Sequence, residues 1–259
     1  METPTTPPPP ISSRRPQKGT LYILMVVLVV AFVLATLFTA WTDPGLLPGN
    51  LGRNLTLGAA PPSTGQPANA ATPTKRAHPF IGIVAGHSGN DSGAVCPDGL
   101  TEVSINEAVA AYLKKILVDK GYDVVILQEF DSRLNDFQAS ALVSIHADSC
   151  EYINDIATGF KVSAPLANPH PDQAARLTAC LRNRYAQDTG LQLHNSITND
   201  MTSYHAFSEI NPDTPAAIIE VGFLNLDRTI LTQKQDLIAK GISDGITCFL
   251  NNENIPSTP

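Results

Sequence analysis

Two imidazoles and two carboxylates stand where this 259-residue chain leaves apolar runs or enters a helix. His87 closes the run Phe80-Ile81-Gly82-Ile83-Val84-Ala85-Gly86, and His146 closes Ala141-Leu142-Val143-Ser144-Ile145. Glu102 opens a helical pattern, and Glu220 ends Ala216-Ala217-Ile218-Ile219. The apolar runs read as buried strands, and the carboxyl edge of an α/β sheet is where such folds hold ligands and metals. Two histidines, a glutamate and a further carboxylate suit a catalytic zinc with three protein ligands, one open position and a nearby general base.

Each residue also has a plainer reading. A histidine at a strand end is commonly a satisfied core or surface residue, and a glutamate in a first helical turn is favoured by the helix dipole. Glu220 resists the plain reading, because the apolar stretch resumes as Val221-Gly222-Phe223-Leu224 and a buried carboxylate without a partner is costly. Arg133 is the nearest upstream cation and would pair with Glu220 in a purely structural role. His87 lies in Gly86-His87-Ser88-Gly89-Asn90-Asp91-Ser92-Gly93-Ala94, whose small residues let backbone approach an ion or substrate. Asn106, one turn beyond Glu102, is placed to orient a ligand or to face solvent.

The elements that must position these groups alternate. After the His87 strand, residues 101–120 carry Ile105, Val109, Tyr112, Leu113, Ile116 and Leu117 at helical spacing, with Gly121 as the stop. A strand over 123–127, a short helix over 134–139 and the His146 strand follow. Then come a strand over 159–162, a helix over 171–188, an irregular rim over 190–215, the Glu220 strand and a helix over 234–251. This order predicts a single α/β domain, a three-layer α/β/α sandwich on a mostly parallel sheet, over residues 78–252. Residues 253–259 form a short tail.

The first 77 residues have a different composition. Residues 1–20 hold a Thr/Pro-rich stretch and the cations Arg14, Arg15 and Lys18. Residues 21–41 are uncharged and apolar, long enough to span hydrocarbon at about 1.5 Å per residue. The basic flank predicts a transmembrane signal-anchor with a cytoplasmic N-terminus and a catalytic domain outside the membrane. A cleaved signal peptide competes, but the apolar run exceeds the usual core of about 7–15 residues. Residues 42–77, rich in Pro, Gly and Thr, read as a flexible linker reaching on the order of 30 Å. Asn54 and Asn90 begin glycosylation sequons, which matter only in a eukaryote.

A net charge of −7 and few aromatic residues argue against a nucleic-acid surface. Cys96, Cys150, Cys180 and Cys248 are even in number and beyond the predicted anchor, which favours disulfides. Cys96 and Cys150 each follow a candidate metal histidine and Cys180 and Cys248 fall in helices, so the expected pairs are Cys96–Cys150 and Cys180–Cys248. A thiolate role at a metal is the alternative for the first two.

Gly86-His87-Ser88-Gly89, Glu102 with Asn106, Ser144-Ile145-His146-Ala147-Asp148 and Ile219-Glu220-Val221-Gly222-Phe223-Leu224-Asn225 together resemble the zinc-dependent N-acetylmuramoyl-L-alanine amidases of the amidase-3 type, typified by sporulation and cell-division enzymes. The resemblance covers about residues 79–251. It implies one zinc per chain held by His87, Glu102 and His146, with Glu220 as the catalytic carboxylate. The substrate implied is peptidoglycan, cut between the lactyl group of N-acetylmuramic acid and L-alanine. Leu127-Gln128 stands where the family usually ends its second strand in Thr-Arg, and the 198–205 region departs from the common pattern. His205 there would either touch substrate or shape the rim. The segment after His146 is too brief for the autoinhibitory helix of some members. The same metal set would also serve a zinc peptidase or carboxypeptidase acting on the stem peptide, and a non-catalytic wall-binding module would keep the fold without the chemistry.

Overall fold

The computed structural model describes residues 22–23, 25–32 and 77–255. Residues 22–23 and 25–32 are helical with exposed apolar side chains, among them Ile23, Leu28 and Phe32. No helix among the described residues is long and apolar enough to cross a membrane. The rest of the expected anchor and linker lies outside the described residues, as do residues 256–259.

Five strands form one sheet: β1 (Phe80–Ala85), β2 (Asp123–Leu127), β3 (Ala141–Asp148), β4 (Lys161–Ser163) and β5 (Ala216–Phe223). Their order is β2-β1-β3-β5-β4; the first four are parallel, and β4 runs antiparallel to β5 at the edge. The helices are α1 (Glu102–Asp119), α2 (Pro171–Thr189), α3 (Asn199–Thr202), α4 (Ala206–Glu209), α5 (Arg228–Gln233) and α6 (Gln235–Leu250).

The strand period of two sorts β-residues between two unequal cores. Ile81, Ile83, Val143, Ile145, Ala217 and Ile219 face the long helices and join Val109, Leu113, Leu177, Leu181, Ile238, Ile242 and Ile246 in the larger cluster. Val84, Leu142, Ala216 and Ile218 face the other way, into a smaller cluster closed by Leu134, Met201, Tyr204 and Ala206. The α/β layering therefore holds, with a thick layer of α1, α2 and α6 on one face and only short helices on the other.

Local chemistry explains the element ends. Thr101 caps α1, its hydroxyl accepting the Ser104 N–H at 3.4 Å, and the chain turns out at Gly121 with φ +88°. Pro171 opens α2 and Gly190 ends it in the left-handed conformation, φ +74°. In α6 a Cβ on Gly245 would lie 2.8 Å from the Leu181 Cα, so this residue's lack of a side chain sets the close crossing of α2 and α6. Both expected disulfides are present. Cys180–Cys248 ties that helix pair, and Cys96–Cys150 joins the loops after β1 and β3, which removes the thiolate reading.

Three sequence expectations need correction. The short helix over 134–139 is a 3-10 turn at Ser132–Leu134, because Asp136 takes a left-handed φ of +55° and breaks the repeat. The irregular 190–215 segment contains α3 and α4, one turn each. Arg133 does not pair with Glu220; its guanidinium binds Asp131 at 2.5 Å within its own turn.

Candidate metal centre and cleft

The four sequence-derived residues converge at the carboxyl edge of the sheet. His87 is two residues past β1, Glu102 is the first residue of α1, and His146 and Glu220 are cross-strand partners on β3 and β5. The ligand atoms of His87, Glu102 and His146 lie within 4.8 Å of one another and could hold a metal ion.

Glu102 is the hub. Its Oε2 lies 3.2 Å from His87 Nε2, and its Oε1 lies 3.1 Å from His146 Nδ1. The N–H groups of Ala94 and Ala147 each donate to it at 3.1 Å, and Asn106 Nδ2 reaches it at 3.4 Å while also donating to the Gly86 carbonyl at 3.1 Å. Asn106 thus orients the site, the first of its two sequence readings. Burial would raise the Glu102 carboxyl, but hydrogen bonds from His146 and His87 outweigh it and hold it well below the usual range. The bond to Glu102 raises His87 to about 9, burial opposing. His146 is raised as well, the surrounding carboxylates outweighing its burial.

The two histidines are fixed differently. His87 holds a left-handed φ of +66°, uncommon for a residue with a side chain, and its Nδ1 lies 2.6 Å from Asp91. His146 packs against bare backbone: a Cβ on Gly86 would come within 2.4 Å of its ring. His146 Nε2 is buried without a hydrogen-bond partner, as is Glu220 Oε2.

Glu220 sits in a row across three strands, His146 on one side and Lys161 on the other. All three side chains fall on the thin-layered face. Burial pushes the Glu220 carboxyl up to about 7, with His146 opposing and Glu102 and Asp148 adding to the rise. Lys161 is buried, bonded to Asp148, and its ammonium lies 4.8 Å from the Phe223 ring centroid.

His87, His146, Asp148, Lys161 and Glu220 line a cleft of about 510 Å³ together with Glu129, Tyr204 and His205. Sequence reasoning missed Glu129 and Lys161. Glu129 could have been found from topology, since it lies two residues past β2 as His87 lies two past β1, and the two strands are adjacent. Lys161 depends on the register of an antiparallel edge strand, which has no sequence signal here. His205 does line the cleft, bonded to Glu129 at 3.0 Å and to Glu209 at 2.8 Å.

Two imidazoles and a carboxylate whose ligand atoms lie within 4.8 Å of one another fit a divalent metal with nitrogen and oxygen ligands. Fold and site together define an α/β enzyme with a candidate metal centre at the carboxyl edge of its sheet. A family model described as N-acetylmuramoyl-L-alanine amidase matches residues 81–248. The chain belongs to that family, and it is an amidase whose substrate class is peptidoglycan. Among similar solved structures is an N-acetylmuramoyl-L-alanine amidase from Clostridium difficile 630, 23% identical with a TM-score of 0.55, covering 68% of this chain and 99% of that one. The catalytic domain of CwlV, an N-acetylmuramoyl-L-alanine amidase from Bacillus (Paenibacillus) polymyxa var. colistinus, is 26% identical with a TM-score of 0.52, covering 67% and 98%. The amidase Ami1 from Mycobacterium smegmatis is 19% identical with a TM-score of 0.54, covering 68% and 98%. No curated protein matches the chain.

Proposed function

We propose that the protein is a membrane-anchored zinc amidase that cuts the bond between the lactyl group of N-acetylmuramic acid and L-alanine. His87, Glu102 and His146 hold the metal, and Glu220 moves the proton. The observation that carries this reading is the Glu220 carboxylate, beside His146 in strand register, with Oε2 buried and unpartnered. A zinc ion in this donor set supplies Lewis acidity, lowering the pKa of bound water towards about 7 and polarising the scissile carbonyl.

The chain's own residues do the rest. Glu220, held near neutrality by burial, takes the proton of the attacking water and returns it to the nitrogen of the departing L-alanine. Glu102, bonded to both histidines and to two backbone N–H groups, keeps the donor set rigid. Tyr204 and residues of the α3–α4 segment line the cleft in which the reacting amide would lie. The apolar segment over 21–41, with cations before it, supports an anchor with a cytoplasmic N-terminus and a catalytic domain outside the membrane.

Intact peptidoglycan treated with the full-length chain should release stem peptides bearing a free L-alanine amine and leave peptide-free glycan, by mass spectrometry. Chelation should stop the release and zinc restore it. Cleavage within the stem peptide would replace this reading with a peptidase, and no cleavage with loaded metal would leave a binding module. Protease protection of residues 1–20 in sealed membranes tests the orientation, and accessibility of that end refutes it.

A further inference from the structure

Each histidine of the metal centre turns one nitrogen to Glu102 and the other away, and a carboxylate meets each outward nitrogen. For His87 the partner is Asp91, local to the same loop. For His146 it is Glu129, whose Oε2 lies 3.7 Å from the otherwise unpartnered Nε2. Glu129 Oε2 also accepts the backbone N–H of His87 at 2.7 Å. One carboxylate oxygen therefore holds the strained main chain of one candidate ligand and faces the ring of the other.

Glu129 is itself held. It is buried, and its Oε1 lies 3.0 Å from His205 Nε2, while His205 Nδ1 lies 2.8 Å from Glu209. Both nitrogens of His205 thus face carboxylates, which ionised can only accept hydrogen bonds, so the ring donates from both sides. Phe130 covers the ring at 4.3 Å between centroids. Burial works against the charge on Glu129, and the bond from His205 overcomes it.

We infer that Glu129 is a positioning residue for both histidines of the metal centre, and that His205, braced by Glu209, is the cation that keeps Glu129 in place. Outer carboxylates of this kind fix the orientation of a ligating imidazole and raise its basicity, and their loss typically costs about 10–100-fold in metal affinity. The inference rests on the metal reading of His87, Glu102 and His146. It assigns function to three residues, Glu129, His205 and Glu209, that touch neither metal nor scissile bond.

The test is competition between the full-length chain and a chromophoric chelator for Zn²⁺, with Co²⁺ absorption as a report on ligand geometry. Glu129→Ala should weaken Zn²⁺ binding about 10–100-fold. Glu129→Gln, which keeps the size and the acceptor for the His87 N–H but loses the charge, should give a smaller loss and a shifted Co²⁺ spectrum. His205→Ala should also weaken binding, and the double variant Glu129→Ala/His205→Ala should bind no more weakly than Glu129→Ala alone, because His205 acts through Glu129. If Glu129→Ala lacks a cooperative melt, Glu129→Gln decides. Wild-type affinity and spectrum in the folded Glu129 variants overturn the inference while leaving the metal reading intact. Additive losses in the double variant overturn the relay through His205. A wild-type chain that takes up no metal overturns both readings.

Discussion

Gly86→Ala puts the geometry of the metal centre to its severest test. The new Cβ would stand 2.4 Å from His146 Cε1 and Nε2 and 2.7 Å from Cδ2. Ordinary contact begins near 3.4 Å, so the ring must retreat by about 1 Å. The backbone cannot give instead: the Gly86 N–H donates to Ile145 at 2.9 Å, and its carbonyl accepts Asn106 at 3.1 Å. The ring would therefore leave the position that sets its Nδ1 3.1 Å from Glu102. A displacement of about 1 Å at a reacting centre costs on the order of 10²-fold in rate, or ~2.7 kcal/mol. Overpacking itself costs ~1–3 kcal/mol, which lowers Tm by about 2–12 °C in a domain of this size. The assays are peptide release from peptidoglycan for kcat/KM, metal content by mass spectrometry, and a thermal melt. We expect a folded protein with depleted metal and about a hundredfold lower kcat/KM. A variant with full metal content and kcat/KM within about threefold of wild type, ~0.7 kcal/mol, would refute the geometry.

Other substitutions separate chemistry from stability. Glu220→Gln should retain metal but lose about 10²–10⁴-fold in kcat, since an amide cannot carry the proton; an active variant removes Glu220 from its role. Cys180→Ala with Cys248→Ala opens a bridge spanning 68 residues. That loop is worth about 4 kcal/mol, so Tm should drop by about 8–16 °C. Activity at 25 °C should persist, and a loss of activity without a drop in Tm contradicts the assignment of that bridge to the helix layer. In the metal-free protein His87 titrates at about 9, so near neutrality metal uptake must displace its proton, and apparent affinity should rise with pH up to that value. Calorimetry in buffers of differing ionisation enthalpy should register the proton release, and its absence at pH 7 counts against His87 as a ligand.

How much could be read from the chain alone depended on how local the signal was. β1, α1, β3 and β5 declared themselves through period and punctuation, and the four site residues lay just past β1, at the start of α1 and near the carboxyl ends of β3 and β5. The partner of Glu220 could not be read this way: chain proximity suggested Arg133, but a guanidinium beside Asp131 in one turn pairs there first. Lys161 became its neighbour only through the reversed pairing of β4 on β5. Glu129 carries no local signal, because His205, 76 residues away, contributes the bond that makes its burial tolerable. The unequal cores were also hidden, since an apolar strand buried on both sides does not say how thick each covering is.

That inequality divides labour within the molecule. Side chains turned towards α1, α2 and α6 fasten the chain together, whereas the reverse of the same strands carries a smaller buried cluster and, towards its carboxyl edge, the cleft residues His146, Lys161 and Glu220. Substitutions in the 190–215 segment can thus reshape what the cleft admits while the long helices go on supporting the sheet. On the thin side a mutational scan should read out His146, Lys161 and Glu220 in turnover, and Val84, Leu142 and Ala216 in melting temperature. New specificities should be sought by rewriting the thin side and leaving the thick side alone.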